Sequence, residues 1–154
     1  MIDIDPTIVD LECQDAIAVR GEVAMADMPQ FFQRAFMASF QAAAEAGVDI
    51  IGPPFGFYPE MPGETVIIEA GFPVSAPIET SGEVHSLVLP GGKAIELIHV
   101  GSFEAMAETY AALQTWMEDQ GITPASGMWE VYLSDPAVEP DQSKWQTKIV
   151  WPIA

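Results

Sequence analysis

The sequence has almost no cysteine. Cys13 is the only one in 154 residues, so the chain can form neither an intramolecular disulfide nor a cysteine cluster for a metal. The two histidines, His85 and His99, have no nearby cysteine and lack an H-x-x-x-H spacing. We therefore expect no metal and no cofactor. We interpret Cys13 as a buried small side chain on a short apolar strand rather than as a nucleophile.

Basic residues are scarce as well. Five Lys and Arg stand against 23 Asp and Glu, which gives a formal net charge of −18. Such a charge repels nucleic acids and anionic membrane surfaces, so we exclude DNA, RNA and membranes as partners. Small cationic molecules are the partners that this field attracts. Solubility alone would explain the same acidity equally well.

Long apolar runs are missing too, so the sequence predicts no membrane-spanning helix. Residues 1–5 show no basic stretch followed by an apolar one, so we expect no signal peptide and a cytoplasmic protein. Hydrophobic residues nevertheless make up 49% of the chain. That fraction predicts a sizeable core rather than a disordered chain.

Two amphipathic helices are predicted from apolar side chains spaced three or four residues apart. The first follows Asp27 as N-cap, with Gln30 completing a capping box, and ends at Gly47. The second follows Ser102 as N-cap and ends at Gly121. The apolar stripes are Phe32, Phe36, Phe40 and Ala43 in the first helix, and Met106, Tyr110, Leu113 and Met117 in the second.

About eight short segments have the apolar and β-branched composition of strands. They are 7–13, 16–23, 52–58, 65–70, 84–89, 94–101, 128–133 and 145–151. With the helices they give the order strand, strand, helix, strand, strand twice, in halves of about 1–76 and 77–154. Tyr58 corresponds to Tyr132, and Gly47 to Gly121, each 74 residues later. We therefore predict one α+β domain over residues 1–154. Its pseudo-twofold antiparallel sheet would carry two helices on one face and a central ligand cleft.

The predicted strand over residues 128–133 places one carboxylate in that cleft. Side chains alternate along a strand, so Met128, Glu130 and Tyr132 share a face, and Trp129 shares the other face with apolar neighbours. By the offset of 74, Gly56 and Tyr58 occupy the equivalent places in the first half. The seam would then hold two tyrosines and one carboxylate, with a glycine opposite the carboxylate that leaves space.

A carboxylate among apolar groups is costly unless it is paired or protonated. A cationic ligand would supply the missing charge, and aromatic faces would add about 0.5–2 kcal/mol of cation–π attraction. On the residues alone, a Glu130 that points to solvent from an open sheet face fits equally well. Tyr110 would reach the cleft only if its helix stripe does more than pack on the sheet.

The chain resembles the GyrI-like effector-binding domains, which also form the ligand-sensing part of multidrug-responsive and AraC-type transcription regulators. The matching segments cover nearly the whole chain in order. They are 18–21 (AVRG), 52–55 (GPPF), 69–74 (EAGFPV), 89–94 (LPGGKA), 99–103 (HVGSF), 129–136 (WEVYLSDP) and 145–152 (WQTKIVWP).

This resemblance implies a duplicated α+β fold and an aromatic-lined pocket in which a glutamate meets lipophilic cations. Glu130 matches that glutamate, and Trp129 matches the tryptophan before it. Some stand-alone members of the family hydrolyse strained cyclopropane rings of DNA-alkylating compounds. The chain differs from the regulators because it has no basic helix-turn-helix region, so it would not contact DNA itself.

Three functions remain open from the sequence. The first is a binding module for amphipathic, aromatic, cationic small molecules, used in sensing, sequestration or drug resistance. The second is a hydrolase of cyclopropane-bearing genotoxic compounds with Glu130 as the catalytic residue. The third is a gyrase-inhibitor type of protein that docks a protein partner, or a second copy, on a free apolar sheet face. The candidate ligand-binding residues are Glu130, Tyr132, Trp129, Met128, Tyr58, Gly56, Phe55 and Tyr110.

Overall fold

The computed structural model describes residues 4–60, 63–79, 82–102, 105–134 and 138–154. Phe103 and residues 135–136 of the matching segments lie outside these ranges. The main elements are β1 (Thr7–Leu11), β2 (Gln14–Ala24), α1 (Met28–Ala46), β3 (Phe55–Tyr58), β4 (Thr65–Pro73), β5 (Val84–Leu89), β6 (Gly92–Val100), α2 (Met106–Gln120), β7 (Met128–Tyr132) and β8 (Gln146–Pro152). No helix within these ranges has the length and apolar character needed to cross a membrane.

The eight strands form one sheet in the order β1-β6-β8-β7-β3-β4-β2-β5, and every neighbouring pair is antiparallel. This order is unchanged when each strand is exchanged for its repeat partner and the list is reversed. The predicted duplicated α+β fold is therefore confirmed, with the pseudo-twofold axis between β3 and β7. The outermost strands are exchanged between halves, since β1 pairs with β6 and β5 pairs with β2.

This exchange explains why the interpretation of Cys13 was wrong. The chain leaves β1 at one edge of the sheet and enters β2 near the other edge. Glu12 and Cys13 form the two-residue connection between β1 and β2. Cys13 therefore lies outside any strand and is exposed.

The helix ends agree with the sequence only in part. Gly47 and Gly121 end the helices with φ of 73° and 69°, the left-handed conformation that glycine adopts without strain. Asp27 is the N-cap residue of α1, but its side chain makes no capping hydrogen bond, so the predicted capping box does not form. The N-cap of α2 is Ala105 rather than Ser102, whose carbonyl accepts a hydrogen bond from the Ala105 N–H at 3.2 Å.

The buried face of α1 is rotated from the predicted stripe by one residue. Phe31, Ala35 and Ser39 are buried, whereas Phe40 is 63% exposed. Two neighbouring stripes of this helix are apolar, so periodicity alone could not choose between them. Phe32 and Phe36 are half-buried, and their rings contact the Tyr132 ring at 5.4 Å and 6.4 Å between centroids. The predicted stripe of α2 matches better, because Met106, Leu113 and Met117 are all buried.

The core lies on both faces of the sheet. The larger cluster is between the sheet and the helices and includes Ile17, Ile68 and Leu113. The smaller cluster is on the opposite, helix-free face and includes Phe55 and Trp129. Alternation along β3 and β7 therefore separates these two aromatic residues from the side chains that face the helices.

Candidate functional site

The centre of the sheet is the pair of residues Gly56 and Glu130, which lie directly opposite each other in the β3–β7 ladder. The pseudo-twofold axis passes through this pair, because an offset of 74 residues relates the two positions. Both side-chain positions face the helices. A Cβ atom on Gly56 would lie 2.8 Å from the Tyr132 hydroxyl and 3.2 Å from the Phe32 ring. The space that the glycine leaves is thus filled by Tyr132 rather than kept open for a ligand.

We expect Gly56→Ala to lower the stability of the protein, because the new methyl group would displace the Tyr132 hydroxyl. Overpacking of this kind costs about 1–3 kcal/mol, measurable by urea denaturation. Gly63→Ala is the matched control, since a Cβ there meets nothing within 4 Å. Equal stability of the two variants would contradict the packing of Tyr132 against Gly56.

All three tyrosines of the chain surround the Glu130 carboxylate. Tyr132 donates to Oε1 at 3.0 Å and Tyr58 to the same oxygen at 3.5 Å. Tyr110 donates to Oε2 in a short hydrogen bond. The hydroxyls of Tyr58 and Tyr132 are also 3.3 Å apart. Three hydroxyl donors around one carboxylate fix its orientation and suit its ionised form.

Burial dominates the electrostatics of this group. Only 9% of Glu130 is exposed. Burial raises the pKa of the Glu130 carboxyl above its ordinary value, although hydrogen bonds from Tyr110, Tyr132 and Tyr58, together with His99, act in the opposite direction. Burial and the neighbouring carboxylate raise the pKa of each of the three tyrosines, which therefore stay neutral hydrogen-bond donors.

No lysine or arginine compensates this carboxylate within the described residues. Arg20, Arg34, Lys93 and Lys148 pair with other acidic side chains, at 3.6–3.9 Å. His99 is buried, and its ring nitrogens contact the Thr109 hydroxyl at 2.7 Å and the Ser102 carbonyl at 2.9 Å. Those ranges also contain no cluster of three or more His, Cys, Asp or Glu that could hold a metal ion.

A cavity of about 300 Å³ opens beside Glu130 on the helix-facing side of the sheet. Four of the candidate residues line it, namely Tyr58, Tyr110, Met128 and Glu130. The Tyr110 ring packs edge-to-face on Trp151 at 6.2 Å between centroids. Sequence reasoning missed seven further lining residues, which are Met25, Met28, Glu60, Val66, Gln114, Ser126 and Trp151.

The other four candidates do not line this cavity. Tyr132 and Gly56 lie behind Glu130 on the side of α1, where the Tyr132 ring contacts the Phe32 ring at 5.4 Å between centroids. The structure does not bring Trp129 and Phe55 to the site, because both belong to the core cluster on the helix-free face. Alternation along β7 already separates Trp129 from Glu130, so position next to the glutamate in sequence was a misleading signal.

Comparison with known proteins gives one family and several similar folds. Residues 4–154 match the family of the GyrI-like small molecule binding domain. The C-terminal domain of EcmrR superposes with a TM-score of 0.82 and 19% identity over 99% of each chain. In the EcmrR–DNA complex the match covers 97% of this chain and 57% of the EcmrR chain, with 18% identity and a TM-score of 0.82. The chain thus spans little more than half of that protein.

Two further structures share the fold. A hydrolase from Listeria innocua matches with a TM-score of 0.72 and 17% identity, over 97% of this chain and 91% of that one. SAV2435 bound to tetraphenylphosphonium matches with a TM-score of 0.65 and 11% identity, over 97% and 94%. Identities this low show a common fold alone. No curated protein matches the chain.

Proposed function

The chain belongs to the GyrI-like small molecule binding domain family, and from this premise we propose that its cavity binds amphipathic aromatic cations with Glu130 as the counter-charge. One observation carries the proposal. A carboxylate that is 9% exposed, with no lysine or arginine partner in the described ranges, forms part of the wall of an apolar cavity.

The energetics favour a positive ligand. An ionised carboxylate that is buried without a counter-charge costs several kcal/mol, and three hydroxyl hydrogen bonds offset only part of this cost. A bound cation supplies the missing charge in a place from which bulk water is largely removed. The net charge of −18 raises the local concentration of such cations around the whole molecule.

The rest of the lining fits an aromatic or aliphatic body. The rings of Tyr58, Tyr110 and Trp151 offer cation–π and stacking contacts. Met25, Met28 and Met128 have flexible thioether side chains that can adapt to ligands of different shape. The volume of about 300 Å³ is at the lower end of the range for small-molecule pockets, about 300–1,000 Å³. A fold neighbour bound to tetraphenylphosphonium adds support.

Filling the cavity tests whether ligands bind there. Ser126 lines it from an exposed loop, so Ser126→Phe would occupy cavity volume without disturbing the core. We expect tetraphenylphosphonium to bind about tenfold more weakly to this variant, a loss near 1.4 kcal/mol, with unchanged thermal stability. Quenching of tryptophan fluorescence is the measurement, because Trp151 lines the cavity.

Ser126→Ala is the matched control for this experiment, since it removes the hydroxyl and leaves the volume free. If both variants bind as tightly as the wild type, the ligand does not occupy this cavity.

A hydrolase is the second candidate, and the raised pKa of Glu130 is the observation that favours it. A carboxylate with a raised pKa is a better general base toward water than an ordinary glutamate. A similar fold described as a hydrolase adds support. Incubation with a cyclopropane-bearing substrate decides the matter, because turnover that is absent in Glu130→Gln would assign the chemistry to this carboxylate. Binding without turnover would leave the protein a receptor.

A further inference from the structure

The cavity has a second carboxylate whose surroundings differ from those of Glu130. Glu60 follows the end of β3, two residues after Tyr58, and it lines the same cavity. Unlike Glu130, it is exposed, and it has no ion pair among the described residues. One acid is therefore buried in the cavity wall, and the other meets solvent.

The register of the sheet limits the distance between these two acids. Gly56 pairs with Glu130, and Glu60 lies four residues after Gly56. At about 3.3 Å per residue, the backbone positions differ by at most about 13 Å along the strand. The cavity between them is lined mainly by apolar side chains, among them Met28, Val66 and Trp151.

We propose that the preferred ligand is a dication in which an apolar linker separates two positive groups, one at Glu130 and the other at Glu60. This inference rests on the proposed function and specifies its ligand class. A ligand with one charge satisfies Glu130 and leaves Glu60 hydrated. A second positive group gains the attraction of Glu60 in addition, because the apolar lining between the acids suits a linker without polar atoms.

A bis-quaternary alkane and its homologue with a single charge test this pattern, because only the former has a second positive group for Glu60. The probes are octamethonium, which carries two positive charges, and octyltrimethylammonium, which carries one. The variant is Glu60→Gln. Glu64→Gln is the matched control, because Glu64 is exposed and does not line the cavity. This substitution removes the same charge as Glu60→Gln. This control matters, since a dication responds more strongly than a monocation to any change in net charge.

We expect Glu60→Gln to weaken octamethonium binding about three- to fivefold, the range of a well-placed exposed ion pair. The same variant would leave octyltrimethylammonium binding unchanged, and Glu64→Gln would leave the binding of both probes unchanged. Affinities come from tryptophan fluorescence titrations of the full chain.

Two results would overturn the inference and separate it from the proposed function. If Glu60→Gln and Glu64→Gln weaken octamethonium equally, only the general charge of the protein acts. The second result is that octyltrimethylammonium binds the wild type and loses affinity in Glu130→Gln, while octamethonium binds equally well to the wild type and to Glu60→Gln. That result would support the cation site at Glu130 and contradict the preference for a dication. If neither probe binds the wild type, the proposed function and this inference fail together.

Discussion

Replacing Glu130 with glutamine is expected to weaken tetraphenylphosphonium binding about 10- to 100-fold, which corresponds to about 1.4–2.7 kcal/mol. Binding of the neutral triphenylphosphine oxide should change by less than about twofold. Glutamine keeps the size of the side chain; its carbonyl oxygen can accept from Tyr58 and Tyr132, and its NH2 group can donate to a reoriented Tyr110 hydroxyl. The variant therefore removes the charge and leaves the shape of the cavity unchanged.

The size of this effect follows from two opposing terms. Removing one partner of a buried charge pair commonly costs about 2–5 kcal/mol of binding free energy. Part of that cost is absent here, because the unliganded wild type already carries the penalty of a buried carboxylate. We therefore expect a net loss of about 1.4–2.7 kcal/mol, which is at or below the lower end of that range.

Glu22→Gln controls for net charge in this experiment. Glu22 is exposed on β2 and does not line the cavity, so its loss changes the overall charge by the same amount. We expect cation affinity to change by less than about twofold in this control, since exposed charges are screened by salt. Equal losses in the two variants would mean that the general acidity of the protein, rather than Glu130, selects cations.

The sequence predicted the centre of the site better than its boundary. Strand alternation places Glu130 and Tyr132 on one face, and the offset of 74 residues places Gly56 opposite Glu130, as the strand register shows. The first inference depends on the strict period of two in a strand, and the second on the internal duplication of the chain. The sheet also kept its predicted number of strands and its duplication.

The boundary of the cavity depends on features that periodicity does not contain. Met25, Glu60 and Ser126 lie outside the long helices and strands, where side-chain direction follows from loop geometry. Trp151 lies on β8, which is brought next to β7 by a strand order that the sequence did not specify. Tyr110 was predicted to pack on the sheet and to reach the cleft only if its helix stripe does more than that. Its hydroxyl donates to Glu130, because a buried tyrosine hydroxyl usually finds a hydrogen-bond partner.

The affinity for tetraphenylphosphonium should fall about tenfold for each pH unit of acidification below the pKa of Glu130 in the free protein. Burial raises that pKa above the ordinary value of a glutamate, so the fall should begin at a higher pH than for an exposed glutamate. A bound cation favours the ionised form and lowers the pKa again. Binding therefore releases a proton at any pH between the two values.

Calorimetric titrations from about pH 8 to about pH 5, the range above ordinary carboxyl titration, measure this linkage. Titrations in two buffers of different ionisation enthalpy count the released protons. Glu130→Gln lacks the Glu130 carboxylate and keeps the other ionisable side chains. We therefore expect the affinity of this variant for tetraphenylphosphonium to vary little over this range. An equal pH dependence in the variant would assign the titration to another group.

The same pKa shift has the opposite consequence for the stability of the unliganded protein. Because the folded-state pKa of Glu130 is raised, its contribution to stability is fully present below the unfolded pKa and is lost as pH rises through the folded value. The wild type should therefore lose stability relative to Glu130→Gln as pH rises, and a bound cation should restore it. Acidification would then stabilise the empty protein and release the ligand, because both effects arise from one buried carboxylate.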